Sequence, residues 1–370
     1  MVINPPYPSV SLHVGSIWDS TLAIRFLPFG NRKTANPPES QGVEASAMAI
    51  RIGFVGTGGI AQAHFDALSQ IEGVELVAFC DVDPARAERA AARFGGKAYT
   101  DYQTMLNETA LDALYVCVPP HAHEGAEEMA AEKGIHLFVE KPVARTLERA
   151  RAIEAAIKKA GVLSMVGYHF RYYGATERAR ERLQGLPTVL VKGAWEGGMP
   201  GVEWWRQHAL SGGQIIEQTT HIFDLARYLA GEIVQVHAYF QHAPELMPFS
   251  GGDVSASGAV VLQFASGTVG VITNTCVLNA PGETGIKVYT PNRVIEVSWG
   301  RMTEWEPNRK EEFYSRDNAY HNEARAFIQA IREKNPALIK ADYSEGVRTL
   351  AVTLAADESA RTGKPVAISV

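Results

Sequence analysis

Three groups of residues in this 370-residue chain combine types and spacings that can do chemistry. The first is Gly56-Thr57-Gly58-Gly59-Ile60-Ala61, a turn of the form G-x-G-x-x-A. Gly56 permits a tight turn after a strand, Gly58 lets the backbone approach a pyrophosphate, and Ala61 leaves room for close packing of helix on strand. A helix that opens there presents free N–H groups and a partial positive charge to the same phosphates. Asp81 ends the next apolar run, where a carboxylate accepts hydrogen bonds from the ribose hydroxyls of a dinucleotide. The spacing alone also fits glycines that merely turn the chain and an aspartate that caps a helix. A 2′-phosphate beside Asp81 would be repelled, and position 82 is valine, not arginine. NAD is therefore the expected dinucleotide and NADP the lesser candidate, with Arg86 and Arg89 the residues that could still reach a 2′-phosphate.

The second group is Pro119-Pro120-His121-Ala122-His123 together with Glu140-Lys141-Pro142, each following an apolar run. Both fall at carboxyl ends of parallel strands, where open α/β sheets bind ligands. A lysine beside a nicotinamide can hydrogen-bond a substrate hydroxyl and stabilise a developing alkoxide. The competing reading is an ordinary exposed ion pair at the start of a loop. The third group runs from Gly212-Gly213 through Glu217 and His221 to Leu229. A helix from about residue 216 would place Glu217 and His221 four apart on one face. Histidine with a carboxylate to orient it is common acid/base equipment, although a capping or core histidine fits the same pattern. A metal site from His121, His123, Glu217 and His221 matches no standard zinc spacing, and none is expected.

Elements that must carry these groups can be read from the apolar pattern. Short apolar runs at 49–55, 74–80, 113–118, 135–139 and 162–166, with a short strand at 97–99, alternate with helical stretches at 60–70, 84–94, 123–133 and 147–160. Repeated βα units imply a doubly wound parallel sheet covered on both faces. After about residue 170 the pattern changes to alternating stretches at 188–195, 234–241, 254–264, 268–278 and 285–289, some separated by glycine turns. Helices at 319–333 and 344–362 and a strand at 366–370 close the chain. The expected class is α/β: an N-terminal Rossmann domain over 48–170, then an α+β domain over 171–370 with a large open, mostly antiparallel sheet. The C-terminal helix is expected to pack back on the first domain. Residues 1–47 hold 6 of the 19 prolines and no sustained periodicity, and are expected to be a disordered extension, with folding beginning near Met48. No secretory pattern is read there.

Composition narrows the class further. Lysine and arginine total 35 against 41 acidic residues, a net charge of −6, so no basic excess exists to hold nucleic acid. No apolar stretch is long enough for a membrane span. Cys80, Cys117 and Cys276 form neither a CxxC pair nor a disulfide framework, which fits reduced thiols in the cytoplasm.

Taken together, the three groups and Gly167-Tyr168-His169-Phe170-Arg171 resemble the Gfo/Idh/MocA family of NAD(P)-dependent oxidoreductases, from about residue 49 onward. The resemblance implies a Lys141–Pro142 peptide that is frequently cis, an open sheet that mediates a homodimer or homotetramer, and Lys141 and His221 as the usual catalytic pair. Many polyol dehydrogenases of the family carry aspartate where this chain has Glu217. The expected reaction is reversible oxidation of a secondary alcohol on a sugar, inositol or related polyol, with His221 as base, Lys141 on the same oxygen, and Glu217 orienting His221 or binding a neighbouring hydroxyl. Candidate cofactor contacts are Gly56, Thr57, Gly58, Gly59, Ile60, Asp81, Pro119, His123, Glu140 and Lys141. Candidate substrate contacts are Lys141, His169, Arg171, Trp204, Trp205, Glu217 and His221, with His123 beside them; the tryptophans fit sugar faces or the core equally. Rival readings are an NAD-retaining glycoside hydrolase or lyase and a non-catalytic dinucleotide-sensing regulator.

Overall fold

The computed structural model describes residues 49–369, so the expectation for residues 1–47 lies outside the described residues. The first half of the described chain alternates β1 (Ile50–Val55), α1 (Gly59–Leu68), β2 (Val74–Cys80), α2 (Pro84–Phe94), β3 (Lys97–Tyr99), α3 (Tyr102–Glu108), β4 (Ala113–Val116), α4 (Ala126–Glu132), β5 (His136–Val139), α5 (Leu147–Ala160) and β6 (Ser164–Val166). These strands form a parallel sheet in the order β3-β2-β1-β4-β5-β6, so the strand order reverses between β1 and β4. Ile52, Phe54, Leu114, Tyr115, Leu137 and Phe138 are fully buried, because a parallel sheet with helices on both faces leaves no face to water. Side chains set several helix starts: Asp83 accepts from Ala85 N, Asp101 from Thr104 N, and Thr146 from Arg149 N. The helix expected from residue 123 starts only at Ala126, because residues 120–122 form a 3₁₀ turn and Gly125 takes φ 102°.

The second half holds α6 (Gly174–Leu183), β7 (Leu190–Glu196), α7 (His208–Ser211), α8 (Gly213–Glu217), α9 (Thr220–Ala230), β8 (Ile233–Gln241), β9 (Ser257–Phe264), β10 (Val269–Thr275), β11 (Thr284–Tyr289), β12 (Val294–Ser298), β13 (Arg301–Glu306), β14 (Arg309–Tyr314), α10 (Ala319–Glu333), α11 (Tyr343–Thr362) and β15 (Val366–Ala367). Its nine strands lie in the order β14-β13-β12-β11-β7-β10-β9-β8-β15, antiparallel except for the β7–β10 pair. Strands β12 to β14 escape the apolar reading. In β13 and β14 charged residues are frequent, with Glu306 opposite Arg309 and Glu304 opposite Glu311, so the hydrophobic alternation that marks a strand is weak there.

The two closing helices return toward the first sheet. Helix α10 packs on α1, and α11 packs on α5, α9 and β8, so both sheets share a continuous core. Among the described residues, no helix is long and apolar enough to cross a membrane.

Candidate functional site

At the β1–α1 turn, Gly56 has φ 86°, and a Cβ there would lie 2.3 Å from the Cys117 carbonyl oxygen. Conformation and the close passage of the backbone beyond β4 both demand glycine. Gly58 and Gly59 differ: an added Cβ would meet nothing within 4 Å, and neither has positive φ. Their small size leaves open space in front of α1, whose Gly58 cap supplies no side-chain acceptor to the first turn. Uncapped N–H groups facing open space suit a pyrophosphate, and the residues present fit the dinucleotide. Ala61 is fully buried against the sheet.

Asp81 braces this turn. Its Oδ2 accepts from Thr57 N at 2.9 Å and Thr57 Oγ1 at 3.1 Å, and its Oδ1 accepts from Asp83 N at 3.0 Å. A carboxylate has about four acceptor positions, so capacity for a ribose hydroxyl remains. Val82 beyond it is 91% exposed, an apolar side chain where a 2′-phosphate reader would carry a cation.

Lys141 follows β5 through a cis peptide to Pro142. Its Nζ donates to Glu217 Oε1 at 2.8 Å and to the Glu217 carbonyl at 2.9 Å. Glu217 Oε2 in turn accepts from Trp205 Nε1 at 2.7 Å. Glu140 points away from this cluster: Oε1 is bonded to His64 Nε2 at 2.7 Å, and Oε2 accepts the Lys141 N–H. Burial would raise the Glu140 carboxyl, but the His64 bond, with the charges of His64, Lys141 and His169, holds it below the usual range. A Cβ on Gly167 would lie 2.8 Å from that carboxyl group, so glycine at this position leaves it room.

His221 sits near the start of α9, 3% exposed, with its ring parallel to Trp195 at 5.6 Å and edge-on to Tyr168 at 5.9 Å. His169 meets it at 4.7 Å and stacks on Tyr320 at 4.5 Å. Burial, then the charges of His169 and Lys141, pushes His221 well below the ordinary imidazole range. Burial likewise brings His169 down to about 4, with Glu140 partly opposing the shift. Both rings are therefore neutral near pH 7, and His221 Nδ1 and His169 Nε2 lack partners.

Several expectations need correction. Glu217 and His221 do not share a helix face: α8 ends at Glu217, residues 218–219 break the path, and α9 starts at Thr220. Glu217 therefore holds Lys141, while His221 is oriented by aromatic packing. Arg171 is not a pocket residue. It is 2% exposed and grips Asp224 through Nε at 2.8 Å and Nη2 at 2.7 Å, with the Lys340 carbonyl and Glu345 as further acceptors. That ion pair ties the segment carrying His169 to the helix carrying His221. Trp205 is 1% exposed and spends its indole N–H on Glu217, so it offers no free face to a sugar; Trp204 stays partly exposed. His123 is buried against Glu127, its Nδ1 bonded to Oε1, a contact that ties the loop to α4, while its Nε2 has no partner.

Sequence reasoning missed Trp195, Tyr320 and His64. Trp195 lies in a recognisable strand, yet nothing in the pattern reports what it stacks on. Tyr320 and His64 come from helices whose approach only tertiary packing decides. Among the described residues, no group of three or more His, Cys, Asp or Glu is arranged to hold a metal ion.

A Rossmann sheet with an open glycine turn, joined to a second sheet that carries a buried histidine and the carboxylate bonded to Lys141, is the architecture of a nicotinamide-dependent dehydrogenase. Residues 50–168 match the model of the oxidoreductase family with an NAD-binding Rossmann fold, and residues 188–296 match the GFO/IDH/MocA C-terminal domain. The chain is 31% identical over 233 residues to myo-inositol 2-dehydrogenase of Thermotoga maritima, covering 61% of this chain and 68% of that relative. It is 29% identical over 338 residues to inositol 2-dehydrogenase of Rhizobium meliloti, covering 87% of this chain and all of the relative. The fold also matches the WlbA dehydrogenase of Bordetella pertussis, solved with NADH and UDP-GlcNAcA, with a TM-score of 0.75 at 24% identity over 87% of this chain and 99% of that one. The protein belongs to the Gfo/Idh/MocA oxidoreductase family.

Proposed function

We propose that this protein oxidises, reversibly, a secondary alcohol of a sugar, inositol or related polyol, with NAD preferred over NADP. The reading is supported by a neutral, buried His221 that feels the charge of Lys141, together with the bond by which Glu217 holds Lys141. NAD, when bound at the glycine turn, supplies the nicotinamide that takes the hydride. His221 accepts the hydroxyl proton, because a neutral imidazole shielded from water can act as base at pH 7. Lys141 holds the same oxygen and stabilises the negative charge that grows on it as the O–H bond breaks. Glu217 keeps the ammonium in place, and Trp205 keeps Glu217 in place. The carbinol C–H and O–H bonds break, C=O forms, and the proton ends on His221. The inositol dehydrogenases among the relatives support the polyol class, and Asp81 with the exposed Val82 supports NAD.

The test is a panel of inositols and sugars with NAD and NADP, read by absorbance of the reduced nicotinamide. Lys141→Ala and His221→Ala should each lower kcat by about 10²- to 10⁴-fold and leave NAD binding intact. Near-normal turnover in either variant, or release of free sugar without net NADH, would overturn the assignment.

A further inference from the structure

Beneath the first sheet, on α10, the fold buries a second carboxyl group that the proposed reaction does not use. Glu323 lies on α10, is 0% exposed, and neither of its oxygens has a hydrogen-bond partner. Its neighbours on the same helix face locate it. Tyr320, three residues earlier, meets His64 at 5.7 Å; Phe327, four later, meets Tyr115 at 5.9 Å and Phe138 at 5.8 Å. Glu323 thus faces the interval between His64 and Tyr115, whose rings are 5.4 Å apart. Two more unpartnered buried atoms belong to those residues: the Tyr115 hydroxyl, on a residue with no exposure, and His64 Nδ1. His64 is the residue whose other nitrogen grips Glu140.

Four buried polar atoms without partners, on three side chains of this one region, are each costly to bury alone and mark a polar cell in the core. Its charge state follows from its partners. Glu140 has His64 and the Lys141 N–H to stabilise a negative charge. Glu323 has burial against ionisation, then the charges of Glu140 and Asp224, while Tyr115, Cys117, Tyr172 and Tyr320 around it supply no cation. The stabilising partners all act on Glu140 and none acts on Glu323, so of these two buried carboxyls it is Glu323 that keeps a proton. We propose that Glu323 is a proton-bearing positioning residue: as a neutral acid it completes the cell with Tyr115 and His64, leaves Glu140 the single anion there, and through Glu140 fixes the backbone of Lys141. No proton leaves Glu323 during turnover. In this inference, the effect on Lys141 rests on the proposed dehydrogenase reading; the neutral state of Glu323 does not.

Infrared difference spectroscopy of the full chain against Glu323→Gln tests the neutral state without any substrate. The expected result is a protonated-carboxyl C=O band at pH 7.5 that is absent from Glu323→Gln and shifted in Tyr115→Phe. Absence of the band, or a band that Tyr115→Phe leaves unmoved, overturns the proposal. Kinetics then test the positioning role. Glu323→Leu should lower kcat by about ten-fold or more with little change in the KM for NAD, and Glu323→Gln, which keeps shape and neutrality, should recover most of the loss. Unchanged kcat in Glu323→Leu, or a Glu323→Gln as impaired as the leucine variant, overturns that role. If the leucine variant does not fold, the glutamine and Tyr115→Phe variants decide by the same readouts. A chain with the expected band but no polyol turnover would sink the dehydrogenase reading and leave the buried acid standing.

Discussion

The glycine turn and Asp81 are positioned within one stretch of β1, α1 and β2, whereas Lys141, Trp205, Glu217, His169 and His221 are gathered from five separate segments. In the first region each residue is held by near neighbours: Asp81 reaches Thr57, and Gly56 is forced by the backbone beyond an adjacent strand. In the second, position depends on contacts that span the chain, such as Lys141 to Glu217 and Arg171 to Asp224. A change in the first region should therefore have local effects on cofactor binding. A change in the second should spread through a coupled network.

Arg171→Met gives the sharpest contrast. It leaves Asp224 buried without its bidentate partner, and removing one member of such a pair costs about 3–5 kcal/mol. Chemical denaturation should show that loss; a variant as stable as the parent would return Arg171 to the list of pocket residues. Glu217→Gln removes one charge-assisted bond to Lys141 and should cost about 1.5–3 kcal/mol in transition-state stabilisation, roughly ten- to a hundred-fold in kcat, with NAD affinity unchanged. Equal loss of NAD affinity would mean that Glu217 serves the first region as well.

Within the glycine turn two substitutions should separate. Gly56→Ala meets positive φ and the Cys117 carbonyl, and should destabilise the fold by about 1–3 kcal/mol or more. Gly58→Ala meets no protein atom, so stability should stay within about 0.5 kcal/mol while NAD binds more weakly. Matching melting temperatures for the two variants would remove the distinction. The last contrast concerns pH. His169 and His221 have folded pKa values below the ordinary 6.5, so below that pH the unfolded chain binds more protons. Their contribution is complete above about pH 6.5 and is lost as pH falls toward and through about 4, at up to about 1.4 kcal/mol per pH unit for each group. His169→Gln should flatten that decline in melting temperature; an unchanged slope would mean the imidazole is not held neutral.

Much of this is legible in the sequence alone. The βα rhythm, the glycine turn and the position of Asp81 follow from local periodicity and from residues a few places apart, because a βαβ unit is built from near neighbours. The Glu140-Lys141-Pro142 and Glu217…His221 motifs pointed to segments that the fold joins through the Lys141–Glu217 bond. The one-face reading of Glu217 and His221 failed because spacing assumes a continuous helix, and residues 218–219 interrupt it. Arg171 was misread, and Trp205 stood between pocket and core, for a related reason: an arginine or tryptophan near a motif looks the same in sequence whether its polar atoms face a ligand or a buried carboxylate. Glu323 gave no signal at all, since it is one acidic residue in an amphipathic helix.

The sequence by itself determined which residues could turn, cap, accept or donate, and the order of the elements that carry them. Only the tertiary structure decided which imidazoles lose their water, which carboxylate meets Lys141, and where α10 lays Glu323. Residue type and spacing act over a turn or two of backbone, whereas desolvation and ion pairing depend on what distant segments bring to the same few ångströms.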